Sequence, residues 1–353
     1  MSYTMKNSIN DIVNDEKIGR IVRILVAPFV FQAVPEEKQA LPLEVLAAEM
    51  TGPNGMAFPA DSILVAAEKA ESLVANSFKV VTLWKDSPEG FIPDIRENSK
   101  DSVFLGLISE SCPGEKKPAV IVVPGGGYHF VAHRGEGFIT AEFLEKNGYK
   151  TFILNYRVGA ENHWPAPQLD LALAFKYVKL HAAEYGIDPE NITIIGSSAG
   201  GHLCGSFAAL HESIEEMLGN ELAEKHPDLA ETYKDVKGIR PDQVCLVYPV
   251  ITFTEGETHR GSYENLTNCT EELRAALSIE NLVTPAYPKT YVWCCEDDPL
   301  VPKINTEKMD AALEKAGVPH IMRIFPTGGH GINLGIGTSA EGWADEMVEF
   351  FKK

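Results

Sequence analysis

From about residue 78 onward, short runs of β-branched residues alternate with longer stretches of helical periodicity, and this alternation constrains the fold more than any other feature. Strands that are separated by helices cannot pair as simple hairpins, so they favour a mostly parallel sheet with helices on both faces. The pattern therefore predicts an α/β fold with eight strands, at residues 79–83, 103–108, 119–123, 151–155, 192–195, 243–248, 290–294 and 320–325.

The sequence predicts two parts. Residues 1–75 have helical periodicity, with an apolar patch at 21–34 and an apolar stripe between Ile63 and Leu73 at the three-and-four spacing of a helix face. We predict that this N-terminal helical extension packs on the rest of the chain, pairs two copies of it, or caps it. Residues 76–353 form the α/β part, with a helical insertion at about 211–240. The glycine-rich stretch from Thr51 to Ala57 predicts a loop.

The segment Gly196-Ser197-Ser198-Ala199-Gly200 lies between a predicted strand and a predicted helix, Ala199 to Leu210. A serine on so sharp a turn projects above the sheet, and glycines allow the neighbouring backbone to pass closely. We therefore predict that Ser198 is a nucleophile at the N-terminus of a helix, whose partial positive charge favours an oxyanion. A tight turn without a nucleophile is the alternative.

A run of three glycines, in Pro124-Gly125-Gly126-Gly127-Tyr128, ends the third predicted strand. Such a run exposes backbone N–H groups, which can bind the oxyanion of an acyl-transfer reaction. We predict that the amides of Gly126, Gly127 and Ala199 form this oxyanion hole. A phosphate-binding loop is disfavoured because no Gly-Lys-Ser/Thr follows the glycines.

A serine hydroxyl needs a base to remove its proton and an acid to orient that base. His330, on a glycine-rich loop after the eighth strand, is the predicted base; His202, one helical turn after Ser198, is the alternative. The predicted acid is Asp298, after the seventh strand, with Asp297 as second choice. Two adjacent aspartates cannot both point at one imidazole, and we expect the other to cap the following helix.

Aromatic and polar side chains follow the third and fourth predicted strands, at the edge where such sheets bind ligands. We predict that Tyr128, His129 and Trp164 contact substrate, since aromatic faces suit sugars or phenolic acyl groups. The alternative for Trp164 is that it only fixes its loop. His129 and His133 have the spacing of metal ligands without a glutamate pattern, and the six cysteines fit no zinc motif, so neither a metal nor a cofactor is predicted.

The formal net charge of −19 argues against nucleic acid and anionic membranes as partners. No stretch reaches the roughly 20 apolar residues that a membrane-spanning helix needs. The first residues lack the apolar core and cleavage site of a signal peptide, which predicts a cytoplasmic protein with reduced cysteines. Homo-oligomerisation is left open.

Several segments together resemble the acetyl-xylan-esterase-like branch of the α/β-hydrolases, which is related to the hormone-sensitive-lipase type of carboxylesterase. The resemblance extends from about residue 78 to the end of the chain. Its motifs are Pro124–Tyr128, Arg134–Gly137, Asn155–Arg157, Gly186–Pro189, Gly196–His202, Ser278–Pro285, Asp297–Pro302 and Phe325–Leu334.

The resemblance implies an α/β-hydrolase fold in which Ser198, Asp298 and His330 form the catalytic triad and no cofactor is used. It also implies short-chain acyl esters as substrates, particularly acetyl groups on small molecules or plant-derived oligosaccharides. Other activities of the same residues are hydrolysis of feruloyl or aryl esters, or of amides, as in a peptidase or an arylformamidase. An inactive hydrolase fold that acts as a binding module is the alternative outside the enzymes.

Overall fold

The structure is a computed structural model, and it describes residues 3–51, 58–76, 78–88, 90–108 and 111–353. The helical prediction for the N-terminal extension is confirmed for its described residues. The loop predicted at Thr51–Ala57 lies, apart from Thr51, outside them. The helices of the extension are α1 (Ile9–Val13), α2 (Gly19–Leu25), α3 (Pro28–Gln32), α4 (Leu43–Glu49) and α5 (Ala60–Ala75).

The predicted eight-stranded sheet is confirmed. Its order is β1-β2-β4-β3-β5-β6-β7-β8; β2 pairs antiparallel with both β1 and β4, and the pairs from β4 to β8 are parallel. The strands are β1 (Lys79–Thr82), β2 (Phe104–Leu107), β3 (Lys117–Val123), β4 (Lys150–Asn155), β5 (Ile187–Ser197), β6 (Gln243–Val247), β7 (Lys289–Cys295) and β8 (His320–Phe325).

Helices follow most strands of the parallel part, as crossover connections require. A π-helical turn, His133–Phe138, leads into the first of them. The helices are α6 (Ile139–Lys146), α7 (Ala166–Leu180), α8 (Ala182–Tyr185), α9 (Ala199–Lys225), α10 (Pro227–Tyr233), α11 (Arg260–Thr267), α12 (Glu271–Ala276), α13 (Ile304–Ala316) and α14 (Trp343–Phe351).

The sheet separates two apolar clusters, because side chains on a strand point alternately to its two faces. On β3, Ile121 belongs to the cluster that includes buried residues of α7, α9 and α13. Its neighbour Val122 belongs to the opposite cluster, with α6, α14 and the N-terminal extension. The extension thus covers one face of the sheet. Ile21 of α2 and Ile63 of α5 are fully buried in that cluster.

Some elements are longer than the sequence predicted. Strand β5 begins at Ile187 rather than residue 192, because Ile187 pairs with Lys117 across a register shift. Helix α9 continues to Lys225 past a kink at Leu210, where the predicted helix ended, and with α10 it supplies the helical insertion. All six cysteines are free thiols. Within the described ranges, no helix is both long and apolar enough to cross a bilayer.

Candidate active site

Ser198 lies on the sharp turn that the glycine pattern predicted, between β5 and α9, and its backbone there is strained. Its φ and ψ are 55° and −120°, a region that side-chain-bearing residues rarely adopt. A Cβ at Gly200 would lie 2.1 Å from the carbonyl oxygen of Val123, and one at Gly196 would lie 2.1 Å from that of Gly200. Only glycine fits at these two positions, so they allow the turn to present Ser198 at the edge of the sheet.

Three of the predicted side chains form one chain of hydrogen bonds. The hydroxyl of Ser198 lies 2.9 Å from Nε2 of His330, and Nδ1 of His330 lies 2.6 Å from Oδ2 of Asp298. The His330 side chain is 10% exposed and that of Asp298 is fully buried. The other oxygen of Asp298 accepts from the amides of Leu300 and Val301, at 2.8 and 2.9 Å, which fixes the carboxylate. The geometry is that of a serine activated by an oriented imidazole.

Asp297, the second choice for the acid, has a different set of contacts. Its carboxylate accepts from the amides of Gly328 and Gly329, at 3.2 and 2.8 Å. These bonds lower the pKa of Asp297 and shape the loop that carries His330. The expectation that the second aspartate caps the following helix is wrong, because its oxygens bind the histidine loop instead.

His202, the alternative base, is fully buried under the site. Its Nε2–H donates to the carbonyl oxygen of Leu277 at 2.8 Å, which leaves Nδ1 to accept from the hydroxyl of Tyr128 at 2.9 Å. Burial lowers the pKa of His202 to about 4. Both of its nitrogens are occupied by structural contacts, so His330 is the histidine that faces Ser198.

The predicted oxyanion-hole amides have no hydrogen-bond acceptor among the described residues. Gly126 and Gly127 have φ values of 125° and 65°, and a Cβ at Gly126 would lie 2.1 Å from the carbonyl oxygen of Phe130. Both glycines line a cavity together with Ser198, and Ala199 begins α9 directly after it. The amides are available to a group bound at Ser198.

This cavity has a volume of about 400 Å³. Its wall includes Ser198, His330 and the two glycines, as well as the side chains of Phe130 and Leu300. The lining thus combines the Ser–His pair with apolar surface, which is the usual composition of a small-molecule site.

The three predicted substrate-binding residues have different positions. His129 is exposed and lines the cavity. For Tyr128 the prediction is wrong, because its side chain is 1% exposed and its hydroxyl is bound to His202. Trp164 is partly buried against the apolar cluster that contains Ile121, and it does not line the cavity. The alternative, that it fixes its loop, therefore describes it better.

Glu136 and Tyr248 are site residues that the sequence reasoning did not identify. Glu136 is buried, lines the cavity and accepts from the amide of Gly125 at 2.6 Å. Burial raises the pKa of its carboxyl, against the opposing effect of that amide. Tyr248 lies close enough to Glu136 to affect the pKa of its carboxyl, and the ring centroid of Tyr248 lies 4.7 Å from that of His330. Tyr248 directly follows β6, the strand beside β5. This position next to the serine turn is the sequence feature that could have identified Tyr248 as a site residue.

His259 is a second histidine in the cavity wall. It precedes α11, and its Nδ1 lies 2.8 Å from the hydroxyl of Ser262. Burial lowers the pKa of His259, and the nearby His330 lowers it further. In the described part of the chain, no group of three or more histidine, cysteine or acidic residues has an arrangement that could hold a metal ion.

The parallel sheet, the serine turn after its central strand and the Ser–His–Asp geometry define an α/β-hydrolase. The chain belongs to the BD-FAE family, whose sequence model matches residues 107–313. The N-terminal extension lies outside that match.

Two relatives carry names that concern xylan. The chain is 32% identical over 261 residues to endo-1,4-beta-xylanase B of Butyrivibrio fibrisolvens, covering 72% of this chain and 37% of the relative. It is 28% identical over 223 residues to an acetylxylan esterase of Xylanibacter ruminicola, covering 62% of this chain and 41% of the relative. The chain therefore corresponds to less than half the length of either relative.

Solved structures share the fold. An acetyl ester-xyloside bifunctional hydrolase from Caldicellulosiruptor lactoaceticus is 32% identical, with a TM-score of 0.64 over 77% of this chain and 95% of that one. A truncated carbohydrate esterase from gut microbiota is 21% identical, with a TM-score of 0.60 over 78% of this chain and 94% of that one. This likeness supports the fold alone.

Proposed function

We propose that this protein is a serine carboxylesterase that hydrolyses short-chain esters, chiefly acetyl esters, of sugars or hemicellulose-derived oligosaccharides. The observation that carries the proposal is the hydrogen-bonded series from Ser198 through His330 to Asp298, whose serine and histidine line one cavity with Gly126 and Gly127. An imidazole between a hydroxyl and a buried carboxylate is the arrangement that acyl transfer requires.

The geometry supports a two-step reaction. Ser198 Oγ attacks the ester carbonyl carbon while Nε2 of His330 takes the hydroxyl proton, and Asp298 stabilises the imidazolium that forms. The C–O bond to the alcohol then breaks, and His330 returns the proton to the leaving oxygen. Water then attacks the acyl-serine while Nε2 of His330 takes one of its protons; the bond between the acyl carbon and Oγ breaks, His330 returns the proton to Oγ, and the acid is released. The reaction needs no cofactor, since water is the second substrate.

The amides of Gly126, Gly127 and Ala199 would donate to the oxygen that becomes negative in each tetrahedral intermediate. Their effect comes from the backbone, so it depends on the fixed shape of the turn rather than on side chains. The bond from the Gly125 amide to Glu136 holds the first residue of that turn in place.

The comparisons support a sugar ester as the substrate. One relative is named as an acetylxylan esterase, and the structural neighbour from Caldicellulosiruptor lactoaceticus is named as an acetyl ester-xyloside hydrolase. A cavity of about 400 Å³ lies near the small end of the range for ligand sites, roughly 300–1,000 Å³, and suits a short acyl group.

Covalent labelling tests the mechanism, and a substrate series tests the specificity. A fluorophosphonate should label the protein once, with the adduct mapped by mass spectrometry to Ser198. Acetate release from acetylated xylo-oligosaccharides should then exceed hydrolysis of feruloyl esters and of acetanilides. Labelling elsewhere would contradict the serine mechanism, and a preference for feruloyl esters or amides would replace the substrate class.

A further inference from the structure

The N-terminal extension is held firmly against the α/β part, next to the candidate active site. Ile21 and Ile63 are fully buried in the same cluster as Val122 of the sheet. The guanidinium of Arg134 donates to the carbonyl oxygen of Ser62 at 2.8 Å. These contacts connect the extension to the segment that follows the glycine turn, and they fix where its short helix α3 lies.

Helix α3 reaches the wall of the cavity that contains Ser198. The ring of Phe29, on α3, meets that of Phe130 edge to face, with their centroids 5.4 Å apart. Phe130 in turn lines the cavity beside Ser198. A residue of the extension therefore supports a residue of the candidate active site directly.

A second cavity, of about 240 Å³, lies between α3 and the glycine turn. His129 and Phe130 line both cavities, so the two are neighbours on either side of these side chains. The second cavity also contacts Tyr156, just past the carboxyl end of β4. That is the edge of the sheet where Ser198 lies, and ligands of such folds bind there.

The lining of the second cavity suits a hydroxyl-bearing ring. Gln32 and His129 are exposed, and their side chains have no hydrogen-bond partner among the described residues. Arg96 binds Asp94 through Nε and Nη2, so the two N–H groups of Nη1 can donate to a bound ligand. Phe130 supplies an apolar ring face. The volume is below the roughly 300 Å³ at which drug-sized sites begin, so it suits one ring rather than a chain of them.

We propose that this second cavity binds a sugar ring of the alcohol part of the ester, beside the acetylated unit that Ser198 attacks. The inference rests on the proposed function, because an acetyl group is small and the alcohol is then the large part of the substrate. It assigns a role to the N-terminal extension: α3 forms one wall of a subsite that favours oligosaccharide esters over esters of small alcohols.

Substitution of Gln32 tests the subsite through a ratio of two activities. In Gln32→Ala and Gln32→Trp, kcat/KM for acetylated xylotriose should fall about tenfold, mainly through KM, as expected when binding to a remote part of the substrate is lost. Turnover of p-nitrophenyl acetate should stay within about twofold. Glu37→Ala, an exposed position of the same extension that lines neither cavity, is the control. An equal loss for both esters, or no loss in either variant, would overturn the proposal.

A binding experiment separates this proposal from the proposed function. Unacetylated xylotriose, titrated calorimetrically into Ser198→Ala, should bind saturably. The addition of Gln32→Trp should abolish binding, and the addition of Glu37→Ala should not. Absence of binding to Ser198→Ala, or binding that is indifferent to Gln32→Trp, refutes the sugar subsite and leaves ester hydrolysis at Ser198 untouched. Failure of Ser198-dependent ester hydrolysis in the wild-type chain would instead refute the proposed function.

Discussion

The carboxyl edge of the sheet and the N-terminal extension are organised by different interactions. At the sheet edge, a few short polar contacts set the arrangement, such as the 2.6 Å separation of His330 and Asp298. In the extension, buried apolar side chains such as Ile21 and Ile63 provide the attachment. Polar contacts impose direction and distance, whereas apolar burial is non-directional. The comparison shows that oriented polar contacts position the candidate triad, whereas apolar burial attaches the extension to the sheet.

Replacement of the proposed nucleophile should give the largest effect, and it tests whether the reaction takes place at the carboxyl edge of the sheet. In Ser198→Ala, kcat for p-nitrophenyl acetate should fall by about 10⁶-fold, because the attacking oxygen is lost. The measurement is steady-state turnover of the purified variant, with circular dichroism to confirm folding. Residual turnover within tenfold of the wild type would place the reaction elsewhere.

The adjacent aspartates offer a matched pair at the same edge. Asp298→Asn should lower kcat by about 10⁴-fold, since the amide cannot stabilise the imidazolium of His330. Asp297→Asn should lower kcat by less than about 100-fold, because Asp297 binds the amides of Gly328 and Gly329 and acts through the position of that loop. Similar losses in the two variants would contradict the assignment of the acid.

A core substitution in the extension should separate stability from chemistry. Ile63→Ala should lower the free energy of unfolding by about 2–5 kcal/mol, because it leaves a cavity among fully buried side chains. Val65→Ala, on the same helix at 51% exposure, should change it by less than about 0.5 kcal/mol. Urea denaturation measures both. Turnover of p-nitrophenyl acetate per folded molecule should stay at the wild-type level, and a loss in Ile63→Ala would show that the extension shapes the reacting groups.

Substitution of Glu136, a buried residue of the candidate site, should have the smallest effect. The expected change is in how the free energy of unfolding depends on pH. Because burial raises the pKa of Glu136, the native chain keeps this proton to a higher pH than the unfolded chain does. The free energy of unfolding therefore decreases as the pH rises through that interval. Glu136→Gln does not titrate, so its unfolding free energy relative to wild type should increase as the pH rises above the ordinary glutamate pKa of about 4.3. Urea titrations at a series of pH values measure this, and a relative decrease would contradict the buried-carboxyl interpretation.

The turn around Ser198 could be predicted because it is local. Gly196 is needed for a backbone approach to Gly200, four residues further on, and the flanking strand and helix have their own periodicity. The three glycines before Tyr128 were recognisable for the same reason. The sequence could not choose firmly between Asp297 and Asp298, since adjacent residues share a loop and differ only in which way each side chain points. That direction depends on amides of other loops, from Leu300 and Val301 in one case and from Gly328 and Gly329 in the other.

The failed prediction for Tyr128 has a similar cause. Its place after the glycines indicated a surface loop, yet its side chain turns inward to His202, which lies 74 residues further along the chain. Glu136 and Tyr248 were overlooked because their connection exists only in the folded protein. Nothing in their separate neighbourhoods indicates that the carboxyl of Glu136 would bind a turn amide and lie near a phenol more than 100 residues further along the chain.

By itself, the sequence determined the alternation of strands and helices, the serine turn, the glycine run, and the chain order of the candidate triad residues Ser198, Asp298 and His330. These depend on backbone preferences and periodicities that act over a few residues. Only the tertiary structure decided which aspartate meets His330, which aromatic side chains face the cavity, and that α3 lies beside it. Those outcomes depend on long-range packing and hydrogen bonding, in which each side chain's orientation is set by neighbours that are remote in sequence.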